Sequence, residues 1–334
     1  MKARSVVLSV AVLVALAVFV IPPPVYGGDY VWVISGGLDA TTGHMLYGLA
    51  TDGSSSSVVY HPSGLPTGYF MSEVVIAADG QLAYHVSNNA TWPYNQRGEI
   101  RYGRIFTDEY ILHSNDSDAA GVIAWVPGTL ELLYSGINGG IEAYSPGNTN
   151  HRTLTTNYFD EVTGVTPGGL VFFENSLYRS PGDIFTMTLT GGNIQKWSPT
   201  GTDHERNARI SPDGQYVAFY QEAFDGLFLA TTGGTVINGT ANPLVANATR
   251  HSADNGWFAW APDSSAIAFI QGNEIWSVNR DGTNLTQLTH GEFAGTGGPK
   301  VWGGYPVPEP ASFVLLAAAG AVFVVRWRCA RRPR

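Results

Sequence analysis

The chain has a single cysteine in 334 residues, Cys329. No disulfide can staple the fold, and cysteine usage does not report the redox compartment. Charge is also scarce, at 13% of residues. Of 18 lysines and arginines, seven sit at the two ends: Lys2 and Arg4, then Arg326, Arg328, Arg331, Arg332 and Arg334. Between Gly28 and Gly304 the remaining 11 basic residues face 26 acidic ones, a net charge of about −15. Such a surface repels phosphate backbones and anionic lipid, so nucleic acid is excluded as a partner of this part. The catalytic signatures are missing too: no G-x-S-x-G nucleophile elbow, no H-E-x-x-H and no pair of C-x-x-C motifs. Eight histidines are scattered along the chain. Neither a cofactor nor a metal is expected, and the chain does not read as an enzyme.

What is abundant is turn chemistry, with 40 glycines and 19 prolines. The stretch Asn255 to Gly291 shows its use. Trp257–Ala261 reads as a strand and Pro262-Asp263-Ser264-Ser265 as a turn. Ala266–Ile270 is a short apolar run, long enough for a strand buried on both faces. Glu274–Asn279 alternates, Asp281-Gly282 is a hairpin turn signal, and Leu285–Thr289 is a fourth strand. A lone sheet of four strands cannot bury both faces, so it requires neighbours like itself. They are present at Asn207–Val245, Asp160–Pro199, Gly121–Thr156 and Ser72–Ser114. The first-turn anchors Ala78, Pro127, Pro167, Pro212 and Pro262 are 49, 40, 45 and 50 residues apart. That spread suits blades joined by variable loops better than a solenoid of fixed period.

The motifs ISPDGQYVAFY, and WAPDSSAIAFI followed by EIWSVNRDGTNLTQLT, resemble the repeat of TolB-like β-propellers. Only the copy at Pro212 keeps the full P-D-G. The resemblance implies an all-β propeller. His44–Gly53 aligns without a gap on Asn273–Gly282, and Tyr30–Ile34 resembles a second strand with no first strand before it. Gly298–Trp302, at the other end, is the candidate for that missing strand. Five anchors plus this blade of both termini predict six blades over residues 28–304.

The ends carry addresses. Lys2 and Arg4, the apolar run Val6–Ile21, the helix-breaking Pro22–Pro24 and the small residue Gly27 have the layout of a signal peptide over residues 1–27. An uncleaved anchor is the other reading of that layout. At the C-terminus, residues 305–334, Val307-Pro308-Glu309-Pro310 precedes a 15-residue apolar segment, Ala311–Val325. The arginine-rich tail 326–334 follows, holding Arg326, Arg328, Arg331, Arg332 and Arg334. This order resembles the PEP-CTERM sorting signal of bacterial proteins handled by exosortases. The resemblance implies an exosortase-type processing enzyme as a partner and a transmembrane helix over 311–325. The tail then stays on the cytoplasmic side by the positive-inside rule. An ordinary C-terminal anchor is the alternative.

Four further groups carry polar or aromatic side chains in clusters. Asp203-His204-Glu205-Arg206, the densest ionisable run, reads as a solvated loop before a first strand. Asn115–Asp118 reads as a polar turn, since it lacks the glycine and terminal glutamate of a calcium loop. Arg97, Arg101 and Arg104 read as an exposed edge strand protected by charge. Trp92 and Tyr94, beside Asn95 and Gln96, are candidates for sugar contact. The expectation is therefore a six-bladed, TolB-like propeller flanked by a signal peptide and a C-terminal transmembrane helix. It would be anchored in the cytoplasmic membrane by that helix, then sorted to the cell surface or extracellular matrix. Its role there would be binding or scaffolding, towards a surface polysaccharide or another surface protein. The rival reading is a surface polysaccharide lyase or hydrolase built on a propeller.

Overall fold

The structure, a computed structural model, describes 24 strands and most of their turns between Tyr30 and Trp302. Residues 1–29 and 303–334, the connections 35–45, 52–56, 61–69, 77–80, 88–97, 105–108, 114–118, 146–150, 176–182, 249–257 and 291–298, and a few shorter ones lie outside the described residues. Among the described residues no helix is long and apolar enough to cross a membrane; the expected signal peptide and helix 311–325 lie outside them.

The strands form five antiparallel sheets. Sheet I holds β1 (Tyr30–Ile34), β2 (Leu46–Ala50), β3 (Ser57–Tyr60) and β24 (Pro299–Trp302), in the order β24-β1-β2-β3. Sheet II holds eight strands: β4 (Phe70–Ile76), β5 (Gln81–Ser87), β6 (Gly98–Arg104), β7 (Glu109–His113), β8 (Ala119–Trp125), β9 (Leu132–Gly136), β10 (Ile141–Tyr144) and β11 (Arg152–Thr153). Sheet III is β12 (Asp160–Val165), β13 (Leu170–Asn175), β14 (Asp183–Thr188) and β15 (Gln195–Trp197). Sheet IV is β16 (Glu205–Ile210), β17 (Tyr216–Gln221), β18 (Gly226–Thr231) and β19 (Val245–Ala246). Sheet V is β20 (Ala259–Trp260), β21 (Ala266–Gln271), β22 (Glu274–Asn279) and β23 (Thr286–Gln287).

The expected six blades are thus corrected to five. Two expected four-stranded sets are continuous because β6 pairs with β8 at Gly98 and Ala119. The arginine reading is corrected as well. The strand β6 is hydrogen-bonded to both β5 and β7, so it is not an edge, and Arg101 is buried at 8% exposure. Period-two alternation shows which residues share a face but not whether a later hairpin strand covers the edge.

The innermost strands β4, β8, β12, β16, β20 and β24 neighbour one another in a closed circuit, to which the eight-stranded sheet II supplies two, β4 and β8. Its closure depends on the two chain ends: Val31 pairs with Trp302, Trp32 with Val301, and Val33 with Pro299 across a register shift. The split blade expected from the sequence is present.

The second strands explain how the sheets stack. β17 and β21 carry runs of five buried residues, and β13 a run of four. Alternate side chains therefore serve two different interfaces. Phe172 packs toward sheet IV with Trp197 and Phe219, whereas Phe173 packs toward sheet II with Val162 and Leu133. Trp197 meets Phe172 and Phe219 edge-on at 5.5 and 5.4 Å, and its indole N–H donates to the Thr232 carbonyl of the next sheet at 3.1 Å. Burying each such aromatic contributes roughly 1.5–3 kcal/mol.

The first hairpin turns interlock as well. Gly214, at φ +71°, lies so close to Pro167 of sheet III that a Cβ there would sit 2.4 Å from the proline Cδ. Ser264 holds the equivalent left-handed position in sheet V at φ +61°, where glycine is the unstrained choice. Its buried hydroxyl accepts the Asp213 N–H of sheet IV at 3.0 Å, which offsets the strain.

If the β24–β1 pairing closes the ring, deleting Pro299–Gly303 from the full chain should cost several kcal/mol, on the order of 3–5. Urea melts followed by tryptophan fluorescence measure this. An unchanged midpoint would mean the closure is dispensable.

Candidate functional site

Sheets III and IV repeat one device at the same end of the ring. In each, the first residue of the innermost strand is acidic and faces a carboxamide at the end of the second strand. Asp160 is paired in register with Asn175, and Glu205 with Gln221. The surroundings of the two acids differ.

In sheet IV the acid is enclosed. Glu205 has 0% exposure. Its Oε1 accepts from the Thr200 hydroxyl at 2.5 Å, the Thr200 N–H at 3.1 Å and the Ser198 hydroxyl at 3.1 Å. Gln221 Nε2 donates to Thr200 Oγ1 at 3.3 Å, so the amide reaches the acid through a hydroxyl. Oε2 is buried with no hydrogen-bond partner among the described residues. Burial raises the pKa of Glu205, and the Thr200 and Ser198 hydrogen bonds and the charge of Lys196 only partly oppose it. The neighbouring bulge adds a link between sheets. Asn207 takes φ +53° at a register shift in β16, and its N–H turns to Glu174 Oε2 of sheet III at 3.1 Å.

In sheet III the acid is open to a cavity. Asn175 Nδ2 donates directly to Asp160 Oδ1 at 2.7 Å. Asp160 is 5% exposed and lines a cavity of about 640 Å³ with Thr156, Asn157, Asn175, Phe185 and Ile194. The far wall is held firmly. Leu154 N–H donates to the Ile141 carbonyl at 2.7 Å, and Ile141 N–H donates to Thr155 Oγ1 at 2.9 Å.

The run expected as a solvated loop is corrected here: Glu205 and Arg206 open strand β16, and Glu205 is wholly buried. Four polar residues in a row looked like surface, but Ser198 and Thr200 close over Glu205. Asp203 and His204 lie outside the described residues, as do Trp92, Tyr94, Asn115–Asp118, Val307–Pro310 and the terminal arginines. Among the described residues no three of His, Cys, Asp and Glu are grouped to hold a metal ion. Asp160 and Asn175 went unnoticed in the sequence. The available signal was that Asp160 opens its repeat as Glu205 opens the next.

Residues 306–332 match the PEP-CTERM protein-sorting motif model. The chain carries a PEP-CTERM sorting signal. Such a signal marks an exported, membrane-associated protein that an exosortase processes at the cell surface. No curated protein matches the chain. Among solved structures, TolB from Acinetobacter baumannii is similar at a TM-score of 0.61 and 16% identity, over 83% of this chain and 67% of that one. A TolB-type structure from Agrobacterium tumefaciens is similar at 0.53 and 12% identity, over 84% of this chain and 91% of that one. A chain of the Nidogen/Laminin complex follows at 0.54 and 9% identity, over 77% of this chain and 92% of that one. The fold is that of a TolB-like β-propeller.

The raised pKa of Glu205 makes stability depend on pH. The folded state holds its proton more tightly than the unfolded chain. The contribution is therefore full below the ordinary glutamate pKa and is lost as pH rises from there through the raised value. Glu205→Gln is neutral throughout and lacks that loss. Its urea midpoint relative to wild type should shift in the variant's favour from about pH 4 to about pH 8. A difference that stays constant with pH would count against a charged, desolvated Glu205.

Proposed function

We propose that this protein is a surface-sorted binding propeller whose ligand is a polysaccharide of the cell surface or matrix. The observation that carries the reading is the sorting signal at 306–332, placed directly behind a ring that its own last strand closes. A product delivered outside the cell on a rigid, self-closed scaffold suits recognition. Glu205, whose pKa burial raises, is wholly buried with one oxygen accepting from three donors, which supports a structural task for it. The polysaccharide lyase or hydrolase reading would be restored by turnover. The full chain, in a detergent without a sugar headgroup, should bind polysaccharides on a glycan array and release no fragments from them. Fragment release abolished by His204→Ala would replace the binding reading with an enzymatic one.

Processing follows from the same signal. With Ala311–Val325 in the membrane and the arginines inside, a processing enzyme at the outer face meets Val307–Pro310. Proline disfavours helix at the residue before it, and a glutamate such as Glu309 is costly to draw into the bilayer. Cleavage close to Pro308–Pro310 spares β24 and releases or transfers an intact ring. Mass spectrometry of the surface fraction should find a C-terminus within Val307–Pro310. Glu309→Leu should leave export intact and accumulate precursor in the inner membrane. Arg334 still attached in the mature surface protein would mean that the segment is a plain anchor.

A further inference from the structure

The two acid–amide pairs on sheets III and IV provide an internal comparison. At Glu205 the protein supplies the donors itself: two hydroxyls and one N–H converge on a single carboxylate oxygen. At Asp160, in the equivalent place one sheet earlier, only Asn175 donates to the carboxylate among the described residues. A carboxylate has about four acceptor positions. Where sheet IV places Thr200 and Ser198, sheet III has a cavity. A carboxylate that is 5% exposed, with one side-chain donor and no ion pair among the described residues, is a recognition group awaiting donors.

We infer that the Asp160 cavity is a binding site for one residue of a neutral sugar, held through two adjacent ring hydroxyls. This rests on the reading of the protein as a polysaccharide binder and deepens it. The cavity volume, about 640 Å³, lies inside the range of small-molecule sites, roughly 300–1,000 Å³. Adjacent hydroxyls present two O–H donors to Asp160, as Thr200 and Ser198 do to Glu205. Asn175, already tied to Asp160 through its N–H, offers its carbonyl oxygen as an acceptor at the same point. Thr156 and Asn157 supply further polar groups on the facing wall, and both are exposed. Phe185 and Ile194 give the apolar patch on which the C–H face of a sugar ring rests. Ile194 is 53% exposed, so this patch lies open at the surface.

The charge selects against acidic sugars. A uronate or a sulfated residue would place a second anion beside the buried Asp160, and the surrounding domain is itself strongly acidic. The site therefore reads a neutral position along the polymer. The Trp92 and Tyr94 pair lies outside the described residues.

Saturation-transfer NMR on the full chain, in a detergent without a sugar headgroup, tests this with methyl glucoside, methyl mannoside and methyl galactoside as probes. Each should give signal, and methyl glucuronide should give none. Asp160→Asn keeps the shape and removes the charge, and Ile194→Arg blocks the surface patch without touching the core. Each should weaken binding about tenfold, for Asp160→Asn the size expected from one hydrogen bond to a charged group. Because Ile194 is exposed, that variant keeps the test valid if Asp160→Asn fails to fold. Binding by wild type that both folded variants retain would overturn the site while leaving the polysaccharide reading standing. No signal from wild type with any glycoside, together with an empty glycan array, would overturn both. Preference for a simple amine such as cyclohexylamine over the glycosides would overturn the sugar assignment.

Discussion

The fold depends on one pairing, that of β24 with β1. Each sheet stacks an apolar face on the next, and a ring of such sheets is stable only when no edge is left open. The strands that close it come from opposite ends of the chain, so the last residues of the domain are needed before the first can be buried. Val31, fully buried beside Ala259 and Ala268 of sheet V, belongs to a core that exists only once that pairing forms. The sorting signal begins at residue 306, just beyond that strand. The element that completes the domain and the element that addresses it are neighbours in sequence, so removal of the address at Val307–Pro310 need not disturb the closure.

Between sheets, polar contacts define what the apolar faces alone would leave loose. Aromatic stacking tolerates sliding, whereas a hydrogen bond does not. Trp260 donates its indole N–H to the Arg209 carbonyl at 2.8 Å, and Arg209 reaches back to the Thr163 carbonyl at 3.2 Å. Arg280 lies 4.3 Å from the Tyr216 ring centroid and donates to the Ser264 carbonyl. These contacts run from sheet III through IV to V and fix the rotation of each sheet relative to the next.

The acid–amide device shows how a repeat divides its labour. One copy is closed by its own loop and stiffens the ring. The other keeps an acid at the same position, Asp160, but leaves the closing donors to a ligand. Function in repeat folds often arises in this way, because a position whose partner is withdrawn already has the right geometry for a replacement.

The sequence alone determined a good deal here. Turn residues at intervals of 40 to 50, apolar runs of five and the P-D-G and D-G turns specify the strands and their antiparallel order, since these depend on local chemistry. Glu274–Asn279 was bounded to the residue, and the split blade could be read because Tyr30–Ile34 lacked a predecessor. The sorting signal was legible because its three parts are contiguous. Only the tertiary structure decided the rest. Whether β6 is an edge depends on β7 and on the Gly98–Ala119 contact with β8, which no alternation pattern encodes. Glu205 and Asp160 occupy equivalent positions in the repeat, and nothing local to either distinguishes them. Ser198 and Thr200 close over one while the other lines a cavity, and burial is a property of what packs over a residue.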